Sequence, residues 1–129
     1  MDHDDARTNV PRVAGWPAQV RPPGAPDWER TAVAWLFDAC PPDYRLHEVL
    51  RRHPVVLARF AVVHVDAAVA AAKHGLATTR QELARVVPPE AVEAAVLAWE
   101  REGARLLALS REVRLVERAL RGERFPARL

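Results

Sequence analysis

The chain has 129 residues, half of them apolar and 28% charged, with a formal net charge of +2. That length suits one domain with its own hydrophobic core, and that balance excludes a disordered polyelectrolyte. So small a charge carries no argument for a nucleic-acid or membrane partner, and Cys40, the only cysteine, excludes an intrachain disulfide.

Residues 1–26 contain Pro11, Pro17, Pro22, Pro23 and Pro26 together with Gly15 and Gly24. No helical period survives that spacing, which predicts a flexible or loosely docked Pro-rich tail. Trp16 is the residue in it expected to dock. The acidic start, Met1 to Asp5, has no apolar segment, so a secretory leader is not expected and the cytoplasm is the expected compartment. A single helical domain is expected over 27–129.

Asp27 is a natural N-cap for a first helix from Trp28 to about Ala39, which Pro41 and Pro42 stop. A short second helix is expected from Tyr44 to Arg52. Asp43 would cap it and Tyr44 would anchor it. Asp43, Tyr44 and Arg45 together also form a candidate ligand loop.

Pro54 suits the first position of a third helix, with Gly75 as its expected C-cap. Arg59, Asp66 and Lys73 recur every seven residues as one polar stripe, and most other positions are Val, Leu, Phe or Ala. Such a pattern predicts a central helix buried round most of its circumference. Arg59, His64 and Asp66 argue against a membrane span. Thr79 and Glu82 have the spacing of a capping box and predict a short fourth helix ending at Pro88.

A fifth helix is expected from Pro89 to Arg121, before Gly122. Its apolar positions Val92, Val96, Trp99, Leu106, Leu109, Val113, Val116 and Leu120 drift as a 3.5-residue repeat does. It should pack lengthwise against the third helix or a second chain, with Gly103 on the seam allowing close approach or a bend. The expected fold is therefore all-α, with four to five helices and a long antiparallel pair as its spine.

Candidate chemistry is sparse. His47, Glu48 and His53 fail the zincin spacing, because Arg51 stands where the second histidine is needed; no metal or cofactor is expected. His64 lies opposite the polar stripe, where burial would make it a core histidine or a general base. Cys40 follows a helix C-terminus, whose dipole opposes a thiolate. Arg111, Arg114, Arg118 and Arg121 form a stripe turned from the apolar seam, and either a solvated face or an anion-binding surface has that pattern. There is no glycine-rich phosphate loop, GxSxG elbow or CxxC pair.

The strings Trp28-Glu29-Arg30, Ala32-Val33-Ala34-Trp35-Leu36 and Pro41-Pro42-Asp43-Tyr44-Arg45 resemble those of small helical proteins of high-GC Gram-positive bacteria. Arg51-Arg52-His53-Pro54, Trp99-Glu100-Arg101-Glu102-Gly103-Ala104-Arg105 and Ala119-Leu120-Arg121-Gly122 extend the resemblance over roughly residues 15–129. It implies a compact helical domain in a bacterial cytoplasm and transfers no activity. The leading functional expectation is a non-enzymatic protein-interaction module, self-association included. Val33, Phe37, Leu107 and Leu115 lie off the main seams and motivate it. The alternative is a nucleic-acid-associated accessory protein using the four arginines. A third class is an enzyme built round His64.

Overall fold

The computed structural model describes residues 13–125. Among them the chain is all-α: α1 (Trp28–Asp38), a 3-10 turn (Pro42–Leu46), α2 (Glu48–Arg52), α3 (Pro54–Leu83) and α4 (Pro89–Leu120), with no strand among the described residues. Two compact units are distinguished, residues 13–62 with 111–125, and residues 63–110. Their limits fall inside the two long helices, where the sequence suggests no boundary.

The described part of the Pro-rich segment is a run of turns. Pro22 accepts from the Ala25 amide at 3.1 Å, and Gly24, at φ 96°, occupies the third position of that turn. A left-handed residue is what a type II turn needs there, and Pro23 suits the position before it. Trp16 Nε1 donates to the carbonyls of Val20 and Arg21 at 3.0 and 3.2 Å, and its ring meets Trp28 at 6.3 Å. Val20 and Ala25 are core residues of the first unit. Residues 13–26 are thus packed rather than loosely attached. The rest of the expected tail, 1–12, lies outside the described residues.

In α1, Asp27 occupies the N-cap position, but its side chain does not cap. Its carboxylate meets Arg21 at 3.3 Å and Arg30 at 3.5 Å instead. Thr31 ties the incoming segment to the helix, accepting from the Arg21 amide at 3.0 Å. Ala32, Leu36 and Phe37 are buried, so Phe37 belongs to the core although sequence spacing set it aside. The expected helix over 44–52 is broken at His47, which is extended at φ −89°, ψ 114°. Asp43 therefore lies within a 3-10 turn and does not cap a helix. Leu50 is fully buried, while Leu46 and Val49 are exposed. His53 is extended because Pro54 follows it, and α3 starts at that proline.

Gly75 does not end α3, and Thr79 does not open a new helix. Thr79 is buried and its hydroxyl donates to the Gly75 carbonyl, while Thr78 donates to His74 at 2.9 Å. Both bonds return to the preceding turn, so these threonines continue the helix. Gly75 serves a close approach instead: a Cβ there would fall inside the indole of Trp99. The role expected of Gly103 belongs to Gly75, since a Cβ on Gly103 would meet nothing.

The long helices pack against each other, antiparallel. In the second unit Arg80 pairs with Glu93, Gly75 faces Trp99 and Asp66 meets Ser110, so numbering rises on one helix as it falls on the other. Arg59 and Glu117 continue the trend in the first unit. On α3 the inner seam is Pro54, Ala58, Ala61, Val65, Ala68, Ala72, Gly75 and Thr79, alternating steps of four and three. On α4 it is Val92, Val96, Trp99, Gly103, Leu106, Ser110, Val113, Glu117 and Leu120, in the same alternation. Every one of these positions is buried or half-buried. Small residues on α3 meet larger ones on α4, the size alternation that close packing requires.

Candidate interaction surface

The buried line of α3 occupies one face only, so the helix is not buried round its circumference. The Arg59/Asp66/Lys73 stripe flanks that line on the side of α4. Arg59 Nε lies 3.4 Å from Glu117, and Ser110 Oγ donates to Asp66 at 3.1 Å. Lys73 is exposed and makes no ion pair among the described residues.

Away from the buried line, α3 carries a second stripe: Val56, Phe60, Val63, Ala67, Ala70, His74 and Ala77. Its steps again alternate four and three. Val56 is half-buried and the other six are exposed, Val63 to 61% and Phe60 to 42%. No charge interrupts it over six turns of helix. By length and composition α3 also suffices to cross a membrane, with 33% of its most apolar stretch buried. This exposed stripe corrects the expectation of a helix buried round most of its circumference. The signal was present: one helix carries two heptad seams, and a single long partner helix covers one.

The residues singled out from the sequence are dispersed. His64 is half-buried rather than a core residue, on the flank of the buried line opposite Asp66. The candidate loop 43–45 is engaged structurally. Tyr44 packs edge-on against Phe60 at 5.8 Å, and Arg45 reaches Asp38 at 2.8 Å with its guanidinium 5.3 Å from the Phe37 ring. Asp43 is exposed. The Arg45 carbonyl accepts from Arg51. His47 and His53 are exposed, and among the described residues no group of three or more His, Cys, Asp and Glu side chains could hold a metal ion.

Arg111, Arg114, Arg118 and Arg121 are all exposed on α4 and its end. Arg118 donates to Glu123 at 2.9 Å and lies 4.9 Å from the Phe125 ring centroid, and Arg121 meets Glu117 at 3.3 Å. Arg118 and Arg121 are thus compensated within the chain. Leu115 lies 3.5 Å from where a Gly15 side chain would begin, whereas Leu107 is exposed.

Cys40 is buried behind α1, and burial pushes its thiol up to about 11 against a smaller opposing pull from Arg45. A neutral thiol at physiological pH is a poor nucleophile. Comparison with protein families, curated proteins and solved structures finds no match to this chain.

Proposed function

We propose that this protein is a non-enzymatic helical interaction module whose docking face is the outer stripe of α3, and that its partner is an α-helix. One observation carries the reading: a charge-free heptad stripe lies exposed on a helix whose opposite face is already packed. A lipid surface needs apolar area but no heptad spacing, whereas a partner helix needs both. The larger apolar side chains, Val56, Phe60 and Val63, lie at one end of the stripe, and Ala67, Ala70 and Ala77 leave room for a close backbone approach along the rest. Nucleic-acid binding through the α4 arginines has weaker support, because Glu123 and Glu117 already offset two of those charges.

The test is site-specific photo-crosslinking in cells. A photoreactive residue replacing Val63 is expected to yield a discrete protein adduct, and one replacing Arg111 is expected to yield none. Absence of an adduct at 63, or a nucleic-acid adduct at 111, overturns the reading.

A further inference from the structure

We infer that the second unit, residues 63–110, is a hairpin that opens as one piece, both limbs together, while the first unit stays folded. Burial is shared unevenly between the two. The first unit draws on residues 13–26, α1, the 3-10 turn, α2 and one end each of α3 and α4. Leu36, Leu50, Leu57, Val113 and Val116 are fully buried in it. The second unit has two helical limbs and the turn that joins them. Six of its residues are buried: Val65, Ala72, Thr79, Val92, Val96 and Leu106. Apolar burial is what holds a helix in place, and alanine and threonine supply little of it. Trp99, the largest side chain on this seam, is half-buried.

The other ties across the hairpin are weak. Arg80 and Glu93 join the limbs near the turn with side chains 63% and 60% exposed, and an ion pair so open to water adds little. Gly75 and Gly103 each weaken their helix relative to alanine. Gly75 is required by the Trp99 indole, so that weakness comes with the close approach of the limbs. The bond from Ser110 to Asp66 is the tie furthest from the turn and marks the limit of the opening. Each limb covers the buried face of the other, so neither keeps its own burial when its neighbour leaves. That mutual dependence makes the opening cooperative, a local unfolding below the global one. Opening bares the alanine seam and the Trp99 indole. A ligand that binds the closed hairpin alone shifts this equilibrium without touching the first unit.

Native-state hydrogen exchange of the full chain, read by mass spectrometry, tests this. Relative to their unfolded-chain rates, amides of 68–82 and 92–106 should exchange roughly tenfold or more faster than those of 57–62 and 113–119. Urea below the unfolding transition should draw both limbs to one common protection. Gly103→Ala adds a better helix former where nothing obstructs it. It should raise the protection of both limbs about threefold and leave 57–62 and 113–119 unchanged. Val116→Ala should do the reverse, lowering protection in the first unit and leaving the limbs as they were. Equal protection in the two units overturns the inference. So does protection that climbs steadily away from Pro88 with no shared value, which is fraying. A Gly103→Ala or Val116→Ala effect spread evenly over both units also overturns it.

Discussion

Gly75 and Gly103 are both interior glycines of long helices, and their environments are opposite. Alanine is the better helix former by about 1 kcal/mol. At Gly103 the added methyl meets nothing, so Gly103→Ala should stabilise by about 0.5–1 kcal/mol in urea denaturation. At Gly75 it meets the Trp99 ring, so Gly75→Ala should destabilise by about 1–3 kcal/mol despite the propensity gain. Cys40 gives a prediction in pH. Its thiol titrates near 11 in the folded chain against an ordinary value of 9.0. The folded state therefore disfavours the thiolate. The stability from this group is complete below pH 9 and declines as pH rises through 11. The urea midpoint should fall over that window, and Cys40→Ala should remove part of the fall.

At the scale of elements, the α3–α4 pair is an antiparallel seam with polar steps at Ser110 and Glu117. The Glu117 side chain is 9% exposed and meets both Arg59 and Arg121. Both arginines are about half exposed, so the pairs are partly screened. Glu117→Gln should cost about 1–2 kcal/mol by thermal or urea denaturation, mainly through weakened charge-assisted bonds. Glu117→Leu should lie closer to neutral, because it removes the desolvation cost along with the pairs. How far the seam could be read from sequence differed between the two helices. On α4 large residues marked it. On α3 half of the contact residues are alanines, which look like filler in a composition and become a seam only when a partner helix is present. Thr79 departs from its expected role for a related reason: its spacing to Glu82 matches a capping box, but in the continuous helix its buried hydroxyl bonds back to Gly75.

At the scale of the whole molecule, residues 13–26 are part of the packed structure of the first unit. Trp16 bonds across its turn and touches Trp28, while Val20 and Ala25 are buried. Removing residues 1–26 should lower the melting temperature by roughly 5 °C or more, since a loss of about 1 kcal/mol shifts a domain of this size by several degrees. Trp16→Ala alone should account for a large share of it. Changing Arg111 to Gln should leave stability within about 0.5 kcal/mol in urea denaturation, as expected of an exposed position.

The amino-acid sequence by itself determined the helical class, the stop before Pro41–Pro42, the starts at Trp28, Pro54 and Pro89, and the length of α4, whereas α3 ends at Leu83, ahead of the expected stop at Pro88–Pro89. These are local effects: proline removes a donor and fixes φ, and a period of 3.5 residues needs no partner to be recognised. Tertiary structure decided which face of α3 is inner. Both of its faces carry a heptad stripe, so periodicity alone gives two equivalent answers. On the face that is inner, Gly75 makes room for the Trp99 indole, which a Cβ at that position would overlap. Packing against α4 buries that seam and leaves Val63, Ala67, Ala70 and His74 exposed, and no local property of the α3 sequence selects between the two faces.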